Sequence, residues 1–151
     1  MLKGTIHAKE ILSKIAKILT PISGNKRFRS DIIKSNQYEI MNWKGIEIVT
    51  RKKSVDQEQV SWMGESLFWN MLEEGPIRKS DIVLDLGAHI GSFAVLAAVI
   101  KKCKVFAFEP DYESFSLCKI NTILNSVEGR VESLCAAVAG KNWKSNHLQI
   151  N

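Results

Sequence analysis

From residue 82 onward the chain alternates short apolar runs with longer, mixed ones. Ile82-Val83-Leu84 leads into Asp85-Leu86-Gly87, which predicts a strand at 82–86 covered on both faces. Ser92 to Ile100 is almost wholly apolar and predicts a helix, stopped by Lys101 and Lys102 where a helix dipole favours cations. Lys104 to Phe108 predicts a second strand, ended by Glu109-Pro110, and Asp111 is placed to cap a helix over Tyr112 to Leu124. Phe115, Leu117, Cys118, Ile120, Ile123 and Leu124 supply that helix's apolar positions. A third strand is expected at about 131–136, and His147 to Asn151 alternates like the start of another. Strand and helix in this alternation predict an α/β fold with a parallel sheet.

Upstream the pattern changes. Ile6, Ile11, Leu12, Ile15, Ile18 and Leu19 recur near helical spacing with lysines between them, predicting a basic amphipathic helix at 5–19, stopped by Pro21 and Gly24. Gln37 to Met41 and Ile46 to Thr50 flank Asn42-Trp43-Lys44-Gly45, a hairpin signature. A helix from about Asp56 to Glu74 follows, with Val60, Met63, Leu67, Phe68, Met71 and Leu72 as its buried stripe and Trp62 and Trp69 beside it. Gly75-Pro76 ends it. Most of these aromatics are expected in the core, with Trp62 or Tyr38 as candidates for the edge of a substrate pocket. The chain thus divides into a leader at 1–55, helix and hairpin, and an α/β part at 56–151.

Charge sharpens that division. Residues 1–55 hold 12 Lys and Arg against 4 Asp and Glu, a balance of +8, and the remainder holds 9 against 12, or −3. The basic helix is expected to pack on its own domain in preference to a membrane surface. Lys26-Arg27-Phe28-Arg29 is short and has one aromatic, so nucleic acid is not the expected partner. No apolar stretch approaches the roughly 18 residues of a membrane span, and lysines interrupt the N-terminal segment, so a cytoplasmic protein is expected. Cys103, Cys118 and Cys135 show no paired spacing and read as buried free thiols; His7, His89 and His147 are scattered, and no metal is expected.

The chemistry sits where the first α/β strand meets its helix. Asp85-Leu86-Gly87-Ala88-His89-Ile90-Gly91 has an Asp-x-Gly-x-x-x-Gly spacing, and His89 stands where a dinucleotide motif would place its second glycine. A carboxylate at the strand end suits a cation better than a pyrophosphate, and S-adenosylmethionine carries an ammonium and a sulfonium. Glu109, 18 residues after Gly91, can accept hydrogen bonds from ribose hydroxyls.

The segments VLDLGAHIGSFAVLAA, VFAFEPDYESFSLCKINTILN and VESLCAAVAG, in this order, resemble the class I S-adenosylmethionine-dependent methyltransferases, and among them the FkbM family. The likeness covers roughly residues 54–151. It implies a Rossmann-like sheet, S-adenosyl-L-methionine as cofactor, and O-methylation of a sugar or secondary-metabolite hydroxyl. Carried onto this sequence, it implies that Asp85, Gly87, Ala88 and Gly91 line the methionine end, Glu109 holds the ribose, Ala136 and Ala137 lie near the adenine, and His89, Ser92 and Pro110 also belong to the cofactor site. His89, where the family often has asparagine, reads as a cofactor neighbour or helix cap. No catalytic base can be assigned. The family's downstream Lys-x-Asp-x-Glu-Gly strand is absent, so the chain reads as the N-terminal half of the domain, calling for a complementing C-terminal half or self-association. An inactive cofactor-binding or interaction module is the alternative. An NAD-binding domain ranks below it, disfavoured by Asp85 and the missing third glycine.

Overall fold

The computed structural model describes residues 37–63, 65, 70 and 72–139. The expected helix at 5–19, the cluster at 26–29 and the segment 147–151 lie outside the described residues, as do Leu67, Phe68 and Met71 of the expected stripe and Trp69 beside it. Among the described residues no helix is long and apolar enough to cross a membrane.

A hairpin comes first, β1 (Tyr38–Trp43) antiparallel to β2 (Ile46–Arg51). Its loop is shorter than the sequence pattern suggests. Asn42 and Trp43 belong to β1, and only Lys44 and Gly45 turn, both at positive φ (47° and 87°). Two successive left-handed residues match the twist of the flanking strands, which is why Lys-Gly serves here. Helix α1 (Val55–Met63) follows. The continuous helix expected to Glu74 is instead broken: the Glu65 N–H bonds Trp62 O at 3.1 Å and forms a bend, and helical backbone is described again at 70 and 72–74. The sequence has Gly64 at this point, a residue that costs a helix interior about 1 kcal/mol relative to alanine.

The second unit is a three-stranded parallel sheet, β3 (Ile82–Leu86), β4 (Lys104–Phe108) and β5 (Val131–Leu134), ordered β3-β4-β5. Its crossovers are α2 (Ser92–Ile100) and α3 (Tyr112–Leu124). Val105, Ala107, Ala94, Val95, Ala97, Ala98, Leu117, Cys118 and Ile120 are buried between sheet and helices. The opposite face differs from expectation. Ile82, Leu84 and Leu86 of β3 are 64%, 62% and 58% exposed, beside Phe106 and Phe108 in register on β4. Right-handed crossovers that step in one direction across a sheet keep their helices on one side, and the other side is covered only after the strand order reverses. No reversal occurs among the described strands.

Hairpin and sheet are joined through α3. Asn121, fully buried, accepts from Val49 N–H at 2.7 Å and donates to Val49 O at 3.2 Å and Ile90 O at 2.8 Å. One turn on, Asn125 accepts from Glu47 N–H and donates to Glu47 O, at 3.0 and 2.7 Å. The match is geometric: four helical residues rise about 6 Å and two strand residues about 6.6 Å, so side-chain amides at i and i+4 pair with strand residues at j and j−2. The two asparagines thus act as a substitute strand for the β2 edge.

Candidate functional site

The turn after β3 is built from alternating left-handed residues: Gly87 at φ 81°, His89 at 53° and Gly91 at 75°. The N–H groups of Gly87 and Ala88 both donate to Phe108 O at 2.9 Å, which pins the turn to the end of β4. The two glycines serve different ends. Nothing lies within 4 Å of a Cβ built on Gly87, so this side of the turn is open to a ligand. A Cβ on Gly91 would fall 2.4 Å from Cys118 Sγ and 3.0 Å from Cys118 Cα, so Gly91 is needed for the packing of α2 on α3.

Glu109 leaves β4 at the same end, its N–H bonded to Leu134 O at 3.0 Å, and is 9% exposed. Each carboxylate oxygen accepts one backbone N–H: Oε2 from His89 and Oε1 from Asp111, both at 2.8 Å. A carboxylate oxygen has two lone-pair sites, so each retains one for a ligand hydroxyl. Asp111 caps α3 as expected, accepting from Ser114 N–H at 2.8 Å. Its carboxyl is held below the usual carboxylate range: burial works to raise it, and the Ser114 bonds, with Arg51 and His89, prevail.

Asp85 lies one pair before the end of β3, opposite Ala107. Its Oδ2 is buried with no hydrogen-bond partner among the described residues. Burial, and then the charge of Glu109, push its pKa up to about 6. A buried carboxylate short of partners and beside a second carboxylate is an environment that a ligand cation would relieve.

The expected site residues therefore separate into groups. Asp85, Gly87, Ala88, His89, Glu109 and Pro110 converge at the carboxyl ends of β3 and β4. Ala136 and Ala137, both exposed, follow β5 at the same end, where Cys135 Sγ approaches Pro110 O at 3.8 Å. Cys135 is itself exposed, unlike the expected buried thiol; Cys103 and Cys118 are buried, and burial raises the Cys118 thiol to about 11. Ser92 is 1% exposed and lines a small apolar cavity with Trp43, Ile46, Ile48, Val60, Met63 and Leu96. His89 is not the cap of α2, a position held by Gly91. Its ring instead meets Gln59, Arg51 and Asp56, contacts that its sequence neighbours do not reveal. Of the two candidate pocket-edge aromatics, Tyr38 donates to Glu113 Oε1 at 2.8 Å and Trp62 is exposed. Among the described residues no group of three or more His, Cys, Asp and Glu is placed to hold a metal.

No protein-family model matches the chain. A tRNA (guanine(37)-N(1))-methyltransferase of Dictyostelium discoideum is 30% identical over 132 residues, covering 87% of this chain and 27% of the relative. The chain thus spans about a quarter of that protein's length. Among solved structures, Pyrococcus horikoshii TYW2 in complex with MeSAdo superposes with a TM-score of 0.54 at 24% identity, covering 82% of this chain and 47% of that one. TYW2 of M. jannaschii in complex with AdoMet gives 0.52 at 18% identity, over 68% and 44%. These likenesses do not single out the FkbM family, and the family-level expectation contracts to the broader class. The chain has the α/β, Rossmann-like fold of the class I S-adenosylmethionine-dependent methyltransferases.

Proposed function

We propose that this chain forms the cofactor-binding part of an S-adenosylmethionine-dependent methyltransferase whose acceptor is a base in RNA. The observation that carries the cofactor assignment is the pair of strand-end carboxylates: Glu109, fixed through both oxygens by backbone N–H groups, and Asp85, with one buried oxygen unpartnered. Glu109 would take the ribose hydroxyls, Asp85 the cationic methionine end, and the open side of Gly87 would let the ligand approach the backbone. Ala136 and Ala137 would border the adenine. The bound cofactor supplies an electrophilic methyl on a sulfonium. The protein's part is to position it against the acceptor.

The acceptor assignment rests on the likeness to a tRNA guanine methyltransferase, which replaces the sugar or metabolite hydroxyl expected from the sequence. On the same ground nucleic acid, not the partner expected from the sequence, becomes the partner in this reading. The balance of +8 over residues 1–55 supports this reading, because clustered Lys and Arg attract phosphate without regard to sequence. Calorimetric titration with S-adenosylhomocysteine, with Glu109→Ala as control, tests the cofactor; methyl transfer from labelled S-adenosylmethionine to tRNA tests the acceptor. Binding that survives Glu109→Ala unchanged would place the cofactor elsewhere. Label transferred to a glycan and not to tRNA would return the acceptor to a hydroxyl.

A further inference from the structure

Ahead of the parallel sheet, the end of β2 and the start of α1 carry a polar cluster that reaches the turn. Asp56, 0% exposed, accepts three bonds from Arg51: from N–H at 2.9 Å, Nε at 2.8 Å and Nη2 at 3.0 Å. The two hydrogens of Arg51 Nη2 are shared between Asp56 and two further partners, Ser114 Oγ at 3.1 Å and His89 Nε2 at 2.9 Å. On the other side of the ring, His89 Nδ1 meets Gln59 Oε1 at 2.8 Å. The amide oxygen can only accept, so Nδ1 carries the proton. Nε2 is then left to accept from Arg51 Nη2, so the ring is held from both sides. Burial works to raise the Asp56 carboxyl, and the hydrogen bonds and charge of Arg51, with His89, keep it below the usual carboxylate range.

Two features tie this cluster to the cofactor site. His89 is a non-glycine residue at φ 53°, a conformation that L side chains adopt at a cost and that the surroundings must enforce. It is also the residue whose N–H donates to Glu109 Oε2, so its backbone angle sets the direction of that bond. The other oxygen is reached by a second route: Arg51 bonds Ser114 Oγ, Ser114 N–H bonds Asp111 Oδ2, and Asp111 N–H bonds Glu109 Oε1. The two routes close a circuit that starts at Arg51 and ends on both oxygens of one carboxylate.

We propose that His89 is a positioning residue for the cofactor carboxylate Glu109, and that Arg51, Asp56 and Gln59 form the anchor that holds it. The segment before the parallel sheet is then part of the cofactor site. The inference rests on the cofactor reading above, and it is tested on an additional observable. Gln59 is half-buried on α1, and Gln59→Ala removes one arm of the anchor without touching the site. Amide hydrogen exchange at His89, followed by NMR in the unliganded full chain, should quicken by about tenfold or more, while amides within α2 keep their protection. S-adenosylhomocysteine should bind three- to tenfold more weakly. In a Glu109→Ala background Gln59→Ala should cost nothing further, because the effect passes through that carboxylate. Gln59→Glu keeps an acceptor for Nδ1–H and should restore both readouts. Unchanged exchange at His89, or an affinity loss that persists without Glu109, would overturn the positioning role. Absence of S-adenosylhomocysteine binding by the unaltered chain, with the exchange response intact, would overturn the cofactor reading and leave the anchor as a structural device only.

Discussion

Asp85→Asn separates what the fold prefers from what a cofactor site needs. The carboxyl rises from 3.8 to about 6 in the folded protein, through burial first and Glu109 second. At 1.36 kcal/mol per pH unit, keeping Asp85 ionised at pH 7.5 costs the unliganded fold about 3 kcal/mol. The sign follows from the direction of the shift. A carboxyl raised above its unfolded value destabilises at high pH, and the cost fades as pH falls through about 6 towards 3.8. Asparagine removes the charge and keeps the shape, and its unpartnered amide returns on the order of 1 kcal/mol of cost, leaving a gain of about 2 kcal/mol. For a chain of 151 residues that is about 4–8 °C in unfolding midpoint. Thermal unfolding of both proteins at pH 7.5 and pH 4 measures it. The variant should melt higher at pH 7.5, the gap should close at pH 4, and S-adenosylhomocysteine binding should weaken by at least tenfold. A variant that melts lower at pH 7.5 would show that Asp85 is well satisfied in the unliganded fold, and the argument from its unpartnered oxygen would fail.

Gly91→Ala and Gly87→Ala should behave differently: the first meets Cys118 and should cost upwards of about 3 kcal/mol by chemical denaturation, the second only the about 1 kcal/mol of a left-handed alanine. Equal costs would mean that the turn's packing has been misjudged. Asn121→Ala leaves the Val49 N–H and O and the Ile90 O without their side-chain partner and should cost about 2–4 kcal/mol in the same assay, whereas a loss below 1 kcal/mol would show that the hairpin is docked by other contacts. Leu84→Lys on the open sheet face should change stability by less than about 0.5 kcal/mol and reduce any self-association seen in sedimentation; a loss above about 2 kcal/mol would show that this face is covered in solution.

The elements that position the site follow from local signals. The apolar run into Asp85, the glycines at 87 and 91, Glu109-Pro110 and the cap at Asp111 are each short-range features, and the bounds of α3 at Tyr112 and Leu124 come from the cap and the apolar spacing together. What sequence alone did not reveal depends on contacts between distant residues. Asn121 sits between Ile120 and Thr122 in a helix of mixed polar and apolar residues, and its partner Val49 is 72 residues away. Arg51 and His89 are 38 residues apart, and no periodicity links them. Ile82, Leu84 and Leu86 read as a doubly buried strand because apolar content says how much surface wants covering, not which element supplies the cover. Asn42 and Trp43 read as loop because composition does not reveal that a two-residue Lys-Gly turn would extend the pairing to Trp43–Ile46.

The central claim is a cofactor site held between Asp85, the Gly87 turn and Glu109, and calorimetric titration of the 151-residue chain with S-adenosylhomocysteine tests it most directly. Saturable binding is expected, weakened about ten- to a hundredfold by Glu109→Ala as charge-assisted ribose bonds are lost. A folded chain that binds nothing, or one whose affinity ignores Glu109, would contradict the account.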